Sequence, residues 1–263
     1  MKRIRVIPAL LIQKGGLVKS VRFKDQKYVG DPINAVRIFN EKEVDEIVLL
    51  DISATAEKRP PNIRQIREIA SEAFMPLGYG GGITNLGEIK ELIAAGVEKV
   101  ILNTSAFRNP GLVAEAAKYA GSQSIVVSMD VKKNLWGKYK VYVQNATMNT
   151  GSDPAEYAIR MEKAGAGEIL LNAVDRDGTF AGYDTDLIRM ISSKVNIPVV
   201  AIGGAATVND FSKAVLSGAS AVSGGSMFVF QGPHRAVLIS YPGQQELKDK
   251  FFSQLAQTTN DTK

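Results

Sequence analysis

The apolar positions of this chain fall into short blocks rather than long faces. Such blocks occupy residues 4–12, 46–52, 75–79, 99–103, 124–130, 168–174, 197–202 and 219–224. Most are rich in Val, Ile and Leu without polar alternation, as parallel strands buried on both faces require. Between them, 3.6-residue patterns predict helices such as 86–95, 110–120, 154–164 and 208–216. Pro110 and Pro154 suit first-turn positions, and Gly96 and Gly218 suit helix exits. Strands alternating with helices in this way predict an α/β fold: one closed (β/α)₈ TIM barrel spanning residues 1–263. The competing arrangement is an open doubly wound sheet. Residues 132–144 place Trp136-Gly137 between polar-alternating flanks, which predicts a β-hairpin inserted after strand five, at about 131–147.

The pattern also repeats. Gly81-Gly82 recurs as Gly203-Gly204, Ala95-Gly96-Val97 as Ser217-Gly218-Ala219, and Glu46-Ile47 as Glu168-Ile169, each at an offset of 122 (203 − 81, 217 − 95, 168 − 46). The repeat predicts two four-stranded half-barrels, about 1–122 and 123–263, so that a loop in one half has a counterpart across the mouth.

Composition narrows the class. At 263 residues the chain has the usual length of such a barrel, and 45% apolar residues can bury its core. No apolar run is long enough to span a bilayer, and no apolar segment with a cleavage site follows the charged start, so no membrane role and no signal peptide are expected. The absence of cysteine suits the cytoplasm and excludes disulfides and thiolate metal sites. His234 is the sole histidine, so neither a His-based triad nor a metal centre is expected, and no cofactor is implied. The net charge of +5 suits an anionic substrate, while the scattered Lys and Arg argue against nucleic acid.

Candidate chemistry lies at strand ends. Gly80-Gly81-Gly82 follows strand three and Gly203-Gly204 strand seven; glycine lets backbone N–H groups approach an anion. Strand eight ends in Gly224-Gly225-Ser226, before a helix start, and its partner in the other half is Asn103-Thr104 (226 − 104 = 122). This predicts two anion sites across the mouth, phosphate being the usual occupant. Asp130 closes an otherwise apolar strand, a position for acid–base work or for a helix cap. Asp175-Arg176-Asp177-Gly178 is either an active-site loop or an ordinary Asp-Gly turn.

Together with Gly30-Asp31-Pro32, Leu50-Asp51-Ile52 and Gly182-Tyr183-Asp184, these segments resemble the cyclase subunit (HisF) of imidazole glycerol phosphate synthase over essentially the whole chain. That family is a (β/α)₈ barrel. It takes ammonia from a separate glutaminase (HisH-like) subunit to cleave and cyclise a ribulosyl aminoimidazole carboxamide bisphosphate, yielding imidazole glycerol phosphate. The resemblance implies that Gly82, Asn103 and Thr104 serve one phosphate. It implies that Asp177, Gly178, Gly204, Gly225 and Ser226 serve the other. It also implies an ammonia gate at the opposite end, made of Arg5, Glu46, Lys99 and Glu168, against which the glutaminase would dock.

The family uses two aspartates, at the ends of strands one and five. The second matches Asp130. The first falls on Leu11, which cannot exchange a proton; Lys19, near that aspartate in the family, is kept and is the other candidate catalytic residue. Asn172 and Ile202 stand where hydroxyl residues are usual, and Gln144-Asn145-Ala146-Thr147 lacks the usual Gly-rich pattern. Members without the first aspartate resemble those found with surface-polysaccharide (lipopolysaccharide O-antigen) genes, where ammonia goes to a third, amidotransferase-like protein that makes acetamidino sugars. The other readings are a working cyclase of histidine biosynthesis, with Asp130 and Asp51 or Lys19 covering for Leu11, and an isomerase of a phosphorylated sugar-amine.

Overall fold

The computed structural model describes residues 4–232 and 234–260; residues 1–3, the start of the charged N-terminus, lie outside them. Eight parallel strands close a ring: β1 (Arg5–Gln13), β2 (Ile47–Asp51), β3 (Leu77–Gly80), β4 (Lys99–Leu102), β5 (Ile125–Lys133), β6 (Glu168–Ala173), β7 (Val199–Ile202) and β8 (Ala221–Gly224). Each pairs with the next in chain order, and β8 returns to β1 with Ser223 opposite Ile7. Closure overturns the open-sheet alternative, because every barrel strand is paired on both sides.

The ring has two apolar cores. Ile7, Ala9, Val48, Ile101, Val126, Leu170, Val200, Ile202 and Ala221 fill the inside. Alternate residues of the same strands, among them Leu49, Leu102, Val127, Ile169 and Val199, pack outward against the helices. This two-sided burial is what the unalternating Val/Ile/Leu blocks encode. The helices are α1 (Pro32–Glu41), α2 (Ile63–Glu72), α3 (Leu86–Ala94), α4 (Pro110–Ala120), α5 (Pro154–Lys163), α6 (Thr185–Ser192) and α7 (Val208–Leu216). At the C-terminus, Gln244–Leu247 runs through a π turn, Lys248–Phe252, into Ser253–Asn260. No helix among the described residues is long and apolar enough to cross a membrane.

The repeat is visible in the caps. Asp31 before Pro32 and Asp153 before Pro154 both cap helix starts with their carboxylates (153 − 31 = 122). Glu88 reaches back to the Asn85 N–H at 3.3 Å, and Asp210 to the Thr207 N–H at 3.0 Å (207 − 85 = 122). The chain turns alike into the short helices Thr104–Arg108 and Ser226–Val229: Asn103 has φ −122°, ψ −88° and Gly225 φ −113°, ψ −67°. Gly204 needs its φ of +103°, and a Cβ there would lie 2.2 Å from the Gly182 carbonyl oxygen.

Two hairpins rise over the mouth. β5 runs past Asp130 to Lys133 and folds back as Tyr139–Val143, with Leu135 and Trp136 exposed at its tip. The sequence reading missed the other: β1 continues into Gly16–Val21, which pairs with Lys24–Gly30.

Candidate active site

The C-terminal ends of the strands surround a cavity of about 530 Å³. It brings together Lys19, Gly82, Asn103, Thr104, Asp130, Asp177 and Gly225. Gly178, Gly204 and Ser226 lie beside it rather than on its lining.

Strand periodicity connects this cavity to the far end of the barrel. Side chains two apart share a face. Arg5, Ile7, Ala9 and Leu11 therefore form one inward column. Glu46, Val48 and Leu50 form a second, Lys99, Ile101 and Asn103 a third, and Glu168, Leu170 and Asn172 a fourth. Every column starts on a charge and ends at the cavity with apolar residues between. From Glu168 to Asn172 the path is ~13 Å along the strand.

The four charges form a closed circuit. Arg5 bonds Glu46 through Nη1 and Glu168 through Nη2. Lys99 Nζ lies 3.0 Å from Glu46 Oε2 and 2.9 Å from Glu168 Oε1. Burial opposes the Arg5 charge, but hydrogen bonds and charges of Glu168 and Glu46 outweigh it and hold the guanidinium pKa above its ordinary value. Glu46 and Glu168 are almost fully buried, so each depends on both cations.

At the cavity floor Asp130 is held from two sides. Asn172 Nδ2 donates to Oδ1 at 3.2 Å and Asn103 Nδ2 to Oδ2 at 3.1 Å. Asn103 is itself fixed: its Oδ1 accepts from Thr104 Oγ1 at 3.3 Å, and that hydroxyl accepts from the Gln144 N–H of the β5 hairpin at 3.1 Å. The side chains of Asn103 and Thr104 are thus turned to Asp130 and the hairpin. Lys58, Arg59 and Arg108 line the same side of the cavity.

Burial pushes the Asp130 carboxyl up to about 7, against the hydrogen bonds from Asn172 and Asn103, with the Asp177 charge adding to the rise. A raised carboxyl pKa means that the folded state holds a proton the unfolded state has released between about pH 4 and pH 7. Its stabilising contribution is complete below about pH 4 and is lost as pH rises to about 7, at up to ~1.4 kcal/mol per pH unit. Asp130→Asn is expected to remove that slope, which melting temperatures measured across this window would show; an unchanged slope would place the titration elsewhere.

Neither residue considered as a substitute for the missing aspartate is free. Asp51 accepts from the Ser53 N–H and hydroxyl and the Ala54 N–H, all at 3.0 Å, and pairs with Arg59 Nη2 at 2.8 Å. Lys19 Nζ is 2.9 Å from Asp177 Oδ1. The Lys19 stem lies against Gly225, where a Cβ would come within 2.8 Å of Lys19 Cε. The Arg22 N–H also donates to the Asp177 carbonyl at 3.0 Å. The β1 hairpin therefore covers the second-half turns, and Gln144 and Asn145 of the β5 hairpin reach the first half, Asn145 Nδ2 donating to the Ile52 carbonyl. In the second half, Ser226 Oγ is buried without a partner. The sequence reading missed this arrangement and the Arg59 contact; Gly15-Gly16 after strand one was the available turn signal.

Leu11, Ala9 and Leu50 make the opposite side of the floor apolar, and Ile202 stands beside Asn172 on β7.

A family model described as "Histidine biosynthesis protein" matches residues 5–233. A Pseudomonas aeruginosa protein named "Putative imidazole glycerol phosphate synthase subunit hisF2" is 50% identical over 251 residues, covering 94% of this chain and 99% of its own. A Leptospira interrogans protein named "Putative imidazole glycerol phosphate synthase subunit HisF" is 45% identical, covering 96% and 100%. The "Imidazole glycerol phosphate synthase subunit HisF" of Alkaliphilus metalliredigens is 43% identical, covering 85% and 89%. With its closed barrel, its paired strand-end turns and these relatives, the chain belongs to the histidine biosynthesis protein family and, within it, to the HisF-type cyclase subunits of imidazole glycerol phosphate synthase.

Proposed function

We propose that this chain is the ammonia-conducting subunit of a glutamine amidotransferase complex and that its own cyclase step is lost. A glutaminase subunit docks at the N-terminal face, around Arg5, Glu46, Lys99 and Glu168. Ammonia passes their circuit, crosses the apolar interior and leaves at the mouth. The acceptor is a third, amidotransferase-like protein that builds acetamidino groups on surface-polysaccharide sugars. The observation that carries the reading is the contrast along the columns: charges kept at the entrance, and Leu11 in place of an acid at the exit. The interior suits neutral ammonia, because burying an unpaired ammonium ion costs many kcal/mol. The numerals in the names of the Pseudomonas aeruginosa relative, hisF2, and a Vibrio vulnificus relative, hisF3, support a branch apart from a first copy.

The second reading, a working cyclase, is favoured by the retained turns. Gly82, Asn103 and Thr104 would take one phosphate of the bisphosphate. Asp177, Gly178, Gly204, Gly225 and Ser226 would take the other, the Ser226 hydroxyl being an unused donor. One experiment separates the readings. The chain is mixed with a HisH-type glutaminase and glutamine, then, separately, with ammonia and the bisphosphate. Complex formation with stimulated glutaminase is expected, with imidazole product formed at least ~10²-fold more slowly than by a two-aspartate cyclase; turnover near that of a two-aspartate cyclase sinks the proposal.

A further inference from the structure

Four buried side-chain polar atoms among the described residues lack a hydrogen-bond partner: Asn172 Oδ1, Asp177 Oδ2, Ser212 Oγ and Ser226 Oγ. Asn172 Oδ1 is the one that belongs to a barrel strand. Asn172 is 7% exposed and lines the cavity floor. Its amide nitrogen is committed to Asp130 at 3.2 Å, so its carbonyl is left as an acceptor. The absent Cβ of Gly203 leaves room above that oxygen; a side chain there would come within 3.2 Å. An unmet buried acceptor costs roughly 1–3 kcal/mol, which a ligand bearing an N–H or O–H would recover.

Three features narrow the ligand. Asn172 stands two residues beyond Leu170 and four beyond Glu168 on the inward face of β6, where the column first offers an unpartnered acceptor. Asp130 beside it adds a second acceptor, since each of its oxygens receives one side-chain amide N–H and retains a lone pair. Ile202, beside Asn172 on β7, and Leu11 and Leu50 across the floor provide no partner for the hydroxyls of a sugar chain. A small molecule with several N–H donors and little else fits this floor.

We infer that Asn172 is a positioning residue whose Oδ1, together with Asp130, holds ammonia or ammonium at the exit of the barrel. This rests on the conduit reading and names where the nitrogen pauses. No bond to nitrogen forms or breaks there: two N–H groups are held, and the third side faces the open cavity.

The test uses the full chain, labelled with ¹⁵N, above the pKa of Asp130. Ammonium chloride is titrated against potassium chloride and tetramethylammonium chloride at equal ionic strength. The expected result is a saturable shift of the Asn172 side-chain amide and the Asp130 backbone amide with ammonium alone. Asn172→Leu, read at the Asp130 amide, weakens it about 5–10-fold, the worth of one hydrogen bond. If that variant loses its folded spectrum, Asn172→Thr, with the hydroxyl common in the family, is read in its place and is expected to weaken it less. Equal shifts with potassium, or an unchanged affinity in the variants, overturn the assignment. The glutaminase-coupled assay is separate: ammonium held at Asn172 without delivery would sink the conduit and leave the site standing.

Discussion

Given ammonia and the ribulosyl bisphosphate, the chain is expected to form imidazole glycerol phosphate ~10²–10⁴-fold more slowly than a two-aspartate cyclase, the usual worth of a positioned acid–base group. Leu11 offers no proton. Asp51 is fixed by Ser53, Ala54 and Arg59, and the Lys19 ammonium is paired with Asp177. Asp130 is left to act alone. Leu11→Asp by itself is expected to recover less than about tenfold. A new carboxyl among Ala9, Leu50 and Ile202 would be desolvated and would face a second carboxyl across the floor, both of which keep it protonated. Combining it with hydroxyl residues at Asn172 and Ile202 should recover more. Single-turnover rates with purified bisphosphate measure all three. Near-normal turnover by the unaltered chain would show that Asp130 suffices.

The second large effect is expected at the other end. Arg5→Ala leaves two almost fully buried carboxylates, Glu46 and Glu168, with Lys99 as their shared cation. Breaking one side of a buried ion pair costs about 3–5 kcal/mol. For a domain of this size that lowers Tm by roughly 6–15 °C. Arg5→Lys should recover part of this, since one ammonium cannot span both carboxylates as the guanidinium fork does. A shift under about 2 °C in thermal melts would mean that the circuit contributes nothing net. The same variants, assayed in the glutaminase complex, should leak ammonia into bulk solvent.

The barrel was legible because its signal is local and repeated. Strands buried on both faces read as apolar blocks, and Gly96 and Gly218 mark helix exits in both halves. The β5 hairpin was legible because Trp136-Gly137 sits between alternating flanks. The β1 hairpin was not. Its first arm, Gly16–Val21, is largely buried and merges with the apolar run of β1, while its second arm, Lys24–Gly30, is mostly exposed and shows no alternation. Site residues could be named from their places at strand ends, but not their partners. Asn103 was read for an anion, yet its amide holds Asp130. Lys19 and Asp177 meet across 158 positions of chain, a distance at which no spacing rule operates. Partner choice is set by the three-dimensional packing of loops, and that information is spread over the whole chain.

The β1 hairpin also makes unequal a mouth that the repeat renders nearly symmetric in backbone. The Asn103-Thr104 turn is held by the β5 hairpin, through the Gln144 N–H on Thr104 Oγ1. The Gly225 turn carries the Lys19 stem, whose ammonium is paired with Asp177, while the Arg22 N–H holds the Asp177 carbonyl. Two halves alike in backbone are thus clasped by different hairpins, one through a backbone N–H on a threonine hydroxyl, the other through a lysine on an aspartate.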